Sequence, residues 1–348
     1  MKCPRSGVWT LAAGVMSGLV AAMPSASGNE VLAVLHRYEL GGEGGWDYLT
    51  FDASSRRVFI TRGEHVMVVD ADSGKLLGDI TGVRHAHGVA LVPGMKRGYV
   101  SNGHGDSVTS FDSDSLKVGA EFPVTGKDPD AILFDDASDH VFAFNGHSNN
   151  VSAIDPVSGK VVATIAVPGR PEFAVSDGHG LLYVNLEDTA HIARVDSRKA
   201  TVTATWPLGS CKGPTGLALD ILHQRLFSVC DNRQLVVLDA VDGKLVATVP
   251  IGDGPDAVVY DPQTATVYSS NGDGTLTVIH QDDKDHYRVV ASVTTPVRSK
   301  TMTLDPKTHH LFLGAARFGA TPAPTKAEPE PKPAMLPGSF SLIEVGAP

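Results

Sequence analysis

Apolar and polar positions alternate along most of this chain in short runs rich in β-branched residues, and polar turns bearing Gly, Pro, Asn or Asp separate the runs. That is the pattern of antiparallel strands with one buried face. One full cycle is legible in the third repeat. Ala131-Ile132-Leu133-Phe134 leads through a turn at Asp135 to Asp139 into Val141-Phe142-Ala143-Phe144. A loop from Asn145 to Asn150 then precedes Val151-Ser152-Ala153-Ile154, and the turn from Asp155 to Lys160 precedes Val161-Val162-Ala163-Thr164-Ile165. No window sustains a helical period.

The cycle repeats. A short strand ending near Asp, often entered through Pro, returns at Asp47, Gly88, Asp130, Glu172, Thr215, Asp256 and Lys300, in steps of 41, 42, 42, 43, 41 and 44 residues. Four-stranded units at a period of about 40 to 45 are the signature of propeller blades. The seventh unit lacks an outer strand, and the run Val31 to Tyr38 resembles the outer strands of the others. Pairing it with the last unit removes two exposed edges. The expected fold is therefore all-β: a seven-bladed β-propeller of four-stranded antiparallel blades, closed by its N-terminal strand.

The turns carry a further motif. Asp70 to Lys75, Asp155 to Lys160 and Asp239 to Lys244 are Asp-x-x-Ser-Gly-Lys-type turns, the latter two followed by Val-Val-Ala-Thr-Ile and Leu-Val-Ala-Thr-Val. Tyr99-Val100-Ser101-Asn102 and Tyr183-Val184-Asn185 recur in the same style. From residue 31 to the C-terminus the chain resembles the YncE-like, or YVTN-repeat, family of exported bacterial propellers. The resemblance implies the fold. Related propellers include lactonases, lyases and pure binding proteins, so it leaves the activity open.

Gly 36 and Pro 22 suit a chain of many turns, and a formal charge of −10 disfavours nucleic acid and anionic lipid surfaces as partners. Small molecules, metal ions and periplasmic proteins are the partners that remain. Lys2 and Arg5 followed by the apolar stretch Gly7 to Ala22, with small residues before Gly28, read as a signal peptide over 1–28. Residues 29–348 are then one domain, periplasmic or secreted, with no membrane insertion after cleavage, and a ring without edges is expected to be a monomer. Cys211 and Cys230 lie near one end of the fifth unit and are expected to form a structural disulfide.

The strand entrances place Asp47, Asp130, Glu172 and Asp256 in one ring with Lys300, four carboxylates against one ammonium. Clustered carboxylates raise one another's pKa or recruit a cation. The adjoining loops carry Asn102 and His104, Asn145 and His147, Glu187 and Asp188, and Asn271 and Asp273, and His85 and His87 enter the second unit. Two uses of this mouth follow. As a binding site it offers Asp47, Asp130, Glu172, Asp256, Lys300, Asn102, Asn145 and Asn271 to a ligand. As a metal or acid–base site it offers His87, His104, His147 and Asp130 as ligands for a divalent transition metal, or His87 and Glu172 as a catalytic pair. Arg170, Arg298 and Lys300 are placed either to neutralise Glu172 and Asp256 or to hold a substrate carboxylate. Only three tryptophans are present, too few for the stacking surface of a quinone cofactor. His140, His223, His309 and His310 fall in turns at the opposite face, where solvated side chains are expected. The proline-rich stretch 319–338 interrupts the seventh unit as a surface insertion, a flap over the mouth or a docking arm.

Overall fold

The second and third strands of the repeats are buried along almost their whole length, as in Arg225–Cys230 and Gln234–Asp239, whereas fourth strands such as Thr201–Pro207 alternate between exposed and half-buried. Sheets packed face to face produce this gradient: a middle strand is covered on both faces, an outermost strand on one at most. The computed structural model describes residues 1, 32–325, 329 and 331–348. The signal-peptide reading of 1–28 falls, beyond Met1, outside the described residues, as do 326–328 and 330 of the proline-rich stretch.

Four sheets are simple antiparallel meanders of four strands, beginning with Pro129–Asp135, Pro171–Ser176, Pro214–Asp220 and Pro255–Asp261. A fifth has the order Ala33–Glu39, Ser341–Gly346, Leu311–Ala315, Met302–Leu304, so the N-terminal strand is its outer member. Glu344 fastens this junction: it accepts hydrogen bonds from Tyr38 Oη at 2.7 Å, His36 Nδ1 at 2.9 Å and His310 Nδ1 at 2.7 Å.

The first two units merge into one seven-stranded sheet, because Leu76–Val92 runs unbroken for 17 residues. Its first part pairs with Gly63–Asp70 and its last part with Arg97–Asn102. Among the described residues, six hydrogen-bonded sheets therefore stand where seven were expected. The fused place also differs in sequence. Pro129, Pro171, Pro214 and Pro255 begin the first strands of the other meanders and cannot donate to a ladder. His87 stands at the corresponding place in the second unit and keeps its backbone N–H.

The landmark Asp at the end of the first strand is a latch between units. Asp135 accepts from Ser138 in its own turn and from Ser176 and Ser197 of the next sheet, at 2.7, 2.5 and 2.7 Å. Asp220 holds His223 at 2.7 Å and reaches Gln281 at 3.0 Å; Asp261 holds Thr264 and reaches His309, both at 2.8 Å. Asp305 holds Thr308 and is paired with Arg56 of the first sheet at 2.7 Å. His223, His309 and His310 are thus bonded to buried carboxylates rather than freely solvated. These Asp side chains are almost wholly buried, where an unpaired carboxylate is costly, and the crossing bonds make the burial tolerable.

Cys211 and Cys230 form the expected disulfide, with Cα atoms 5.4 Å apart. Arg62 is wholly buried under the Gly-rich segment 41–45, donating to the carbonyls of Gly41, Glu43, Gly44 and Gly45 and lying 3.8 Å over the Phe340 ring. The proline-rich insertion is pinned at its base by Gly319 N donating to Ala334 O at 2.9 Å and Leu336 N to Arg317 O at 2.8 Å.

Candidate functional site at the channel mouth

Asp130, Glu172 and Asp256 are the second residues of their strands, and Asp47 and Lys300 lie two residues before theirs, so their side chains stand at equivalent ends of the first strands. Asp130, Glu172 and Asp256 are largely buried there, Asp47 is half-buried, and Lys300 is half-exposed with its ammonium 2.8 Å from Asp256. They feel one another electrostatically. Burial, then the charge of Asp47, pushes the Asp130 carboxyl upward; burial, then Asp130, does the same to Glu172. Burial likewise raises Asp256 against the pull of Lys300. For Lys300, burial opposes the charged form, yet the attraction of Asp256 prevails and its pKa rises.

Beneath the charged rim, the Tyr48 and Phe173 rings meet at 5.1 Å. They stand over an apolar shaft of about 360 Å³, lined by residues such as Leu217, Val258 and Met302. The channel therefore has a polar mouth, an aromatic floor and a greasy stem.

His87 is the hub of one side. Its Nδ1 donates to Asp47 Oδ2 at 2.6 Å and lies 3.5 Å from Asp130 Oδ1, while Nε2 lies 3.8 Å from Asp128 Oδ1. Burial alone lowers its pKa, but the bond to Asp47 and the charges of Asp130, Asp47 and Asp128 outweigh that and raise it to about 9. His85 stacks flat on His104 at 4.1 Å and meets His87 edge-on at 4.7 Å. His147 Nδ1 sits 3.3 Å from Asp128 Oδ2. These histidines, with Asp106, Lys127 and Asp128, line an open depression of about 590 Å³.

On the other side Arg170 reaches Glu187 at 2.9 Å and Glu172 at 3.8 Å. Several rim atoms are buried without a hydrogen-bond partner: His87 Nε2, Asp130 Oδ1, Glu172 Oε2 and Arg170 Nε. Native proteins satisfy nearly all such groups, and a concentration of exceptions at one place marks a site rather than a core.

The structure brings Asp47, His87, Asp130, Glu172, Asp256 and Lys300 together and corrects other assignments. Asn102, Asn145 and Asn271 are buried and turned into their own hairpins, donating to Ser107 and Thr109, to Asn150 and Ser152, and to Thr275 and Thr277. Each braces a loop instead of facing a ligand. Among the described residues, the three side chains whose ligand atoms lie within 4.8 Å of one another are Asp47, His87 and Asp130. His104 stays outside that group because it is exposed and stacked on His85, and His147 because it is exposed and the carboxylate beside it is Asp128. Arg298 neutralises neither Glu172 nor Asp256; its guanidinium lies 4.9 Å over Phe318.

Asp128 escaped sequence reasoning. Its signal is positional: it precedes Pro129 with φ 56°, where Gly213 and Gly254 precede Pro214 and Pro255 with φ 52° and 60°. An Asp in a glycine's slot accepts backbone strain, and its side chain folds between two histidines.

No protein-family model matches the sequence, and no curated protein matches it. In fold the chain is similar to a chain of Kuenenia stuttgartiensis hydrazine synthase, with a TM-score of 0.70 at 18% identity, covering 77% of this chain and 92% of that one. It is equally similar to a chain of the mitotic checkpoint complex, with a TM-score of 0.70 at 14% identity, covering 88% of this chain and 95% of that one. Both are β-propellers, and at these identities the likeness establishes the fold alone: this chain is an all-β propeller.

Proposed function

We propose that this β-propeller is an exported, YncE-like binding module of seven blades, which takes a small polar ligand with a cationic group at the mouth of its channel. Seven blades follow when Leu76–Val92 is counted for both its halves. In support, the first strands touch in cyclic order and Met302–Leu304 returns to Leu49–Asp52. Export is supported by the apolar N-terminal stretch and by the buried disulfide. The protein is then periplasmic or secreted, and a monomer.

The observation that carries the binding reading is the pair of buried carboxylate oxygens at the rim that accept no hydrogen bond, Asp130 Oδ1 and Glu172 Oε2. An acceptor without a donor in a dry site costs about 1–3 kcal/mol, and a ligand ammonium or N–H removes that cost. Lys300 and Arg170 flank the same space and suit a carboxylate at the ligand's other end.

Thermal unfolding of EDTA-treated protein with amino acids, betaines and polyamines tests this. The expected result is stabilisation by at least one class, weakened in Glu172→Gln and retained in Asn271→Ser. No shift with any class would overturn the reading.

A second reading, a His/carboxylate hydrolase or lyase acting on a small substrate such as a lactone, is favoured by the Asp47–His87 pair. A carboxylate on Nδ1 orients the imidazole and leaves Nε2 to move a proton, with Glu172 as the partner base. Turnover of lactones that disappears in His87→Gln and in Glu172→Gln is its expected result.

A further inference from the structure

We infer that the depression beside the mouth is a site for a divalent transition metal of the zinc class, bound by His87 Nε2, Asp128 and His147, with Asp47 as the residue that orients His87. The inference deepens the binding reading and rests on it for the mouth being a ligand site, while naming an ion and residues of its own.

The argument begins with His87. Its Nδ1 is committed to Asp47 at 2.6 Å, so the nitrogen left over is Nε2, on the side of Asp128. A carboxylate on one imidazole nitrogen is the usual support of a metal on the other, because it fixes the tautomer and raises ligand basicity. Nε2 is buried and has no hydrogen-bond partner. The polar atom it faces is Asp128 Oδ1, 3.8 Å away. That is too long for a hydrogen bond and close to the span of two donors that share one ion at about 2.0–2.2 Å.

The space between them is shaped by a glycine. A Cβ on Gly103 would fall 2.6 Å from His87 Nε2 and 2.6 Å from Asp128 Oδ1, between the two donors. The short turn Gly103–Gly105 thus leaves room that any side chain would fill. On the far side of Asp128, His147 Nδ1 lies 3.3 Å from Oδ2, and this imidazole is 65% exposed, free to turn toward an ion held by Asp128. Two imidazoles and one carboxylate form a three-ligand set with an open position, which suits zinc and its first-row neighbours over calcium or magnesium. Asp106 and Lys127 neutralise each other at 2.5 Å on the rim, so Lys127 does not oppose the ion. His85 and His104, stacked on one another, form the wall.

The competing arrangement uses the other nitrogen, with Asp47, His87 and Asp130 around one ion. It would require breaking the short Asp47–His87 hydrogen bond. The two arrangements differ in whether Asp128 or Asp130 is a ligand.

The experiment is zinc titration by calorimetry on untagged, EDTA-treated protein, with cobalt(II) absorption as a second readout of coordination. Wild type is expected to bind one zinc per chain and to give the intense visible bands of a low-coordinate cobalt site. Asp128→Asn and Gly103→Ala are expected to lower zinc affinity at least 100-fold, and His147→Ala about tenfold. Asp47→Asn is expected to fall by the 10–100-fold typical of a residue that orients a ligand. Asp130→Asn is expected to remain within threefold. His87→Gln, which removes the Nε2 ligand, is expected to lower zinc affinity at least 100-fold, and far-UV circular dichroism and unchanged unfolding temperature certify each variant. Wild type that binds no zinc, affinity unchanged in Asp128→Asn, or affinity lost in Asp130→Asn but kept in Asp128→Asn would each overturn the assignment. Zinc is tested alone here and organic ligands on metal-free protein, so either reading can fail without the other.

Discussion

At the scale of single residues, burial and hydrogen bonding decide which polar side chains are structural and which are available. Arg62 and Asn271 are buried and fully engaged; His87, Asp130 and Glu172 are buried and not. Arg62→Ala is expected to cost about 3–5 kcal/mol, since several charge-assisted bonds to carbonyls vanish and those carbonyls lose their donors. Urea unfolding measures it, and Arg62→Lys should recover little, because an ammonium cannot fork to four carbonyls or lie flat on Phe340. Glu172 makes a pH prediction. Its pKa is raised in the fold by burial and then by Asp130, so above the unfolded value near 4.3 the folded state binds more protons than the unfolded chain. Stability from this group therefore falls as pH rises from about 4 toward the raised folded value. Comparing unfolding temperatures at pH 5 and pH 8, the difference should shrink in Glu172→Gln.

At the scale of elements, the strand pattern was largely legible. The apolar runs of 131–134, 141–144, 151–154 and 161–165 correspond to the strands Pro129–Asp135, His140–Asn145, Asn150–Ile154 and Val161–Ala166. What escaped was the fusion at Leu76–Val92, because a repeat period marks where units recur and not whether the ladder pauses between them. Four of the other units restart their ladder at a proline and the seventh restarts without one, whereas here the strand runs through His87. The disulfide is the other device at this scale. With its cysteines 19 positions apart, the chain-entropy model gives about 3 kcal/mol. The double variant Cys211→Ser, Cys230→Ser should lose roughly that much in denaturant unfolding. A loss near zero would mean that packing around Leu208 and Leu226 already holds this loop.

At the scale of the molecule, the latching carboxylates and the closing strand set how the units hold together. For Asp135 burial works to raise the pKa, but the hydroxyls of Ser176, Ser138 and Ser197 lower it overall; for Asp305 the bonds from Arg56, Lys307 and Thr308 do the same. A depressed folded pKa gives stability that is present above the unfolded value near 3.9 and lost as pH falls through the folded one. Acid unfolding is therefore expected to set in below about pH 4, and Asp135→Asn should raise its midpoint. Deleting residues 1–39 removes the outer strand held by Glu344, exposing the edge of Ser341–Gly346, and is expected to give an aggregating protein by light scattering.

The sequence by itself determined the repeat, the strands, the turn chemistry, the closing strand and the identity of the rim residues, because each is a local pattern of burial and backbone preference read along one dimension. It also put the two cysteines at one end of one unit, and the structure supplied the separation that lets them join. Tertiary structure alone decided which neighbours those residues meet. It turned Asn102, Asn145 and Asn271 into their own hairpins and laid Arg298 on Phe318. It left His104 against His85, and it set Asp128 opposite a nitrogen of His87 that sequence spacing had no means to orient. Such meetings depend on how separate sheets pack against one another, and spacing along the chain does not encode the angles at which side chains from different sheets arrive.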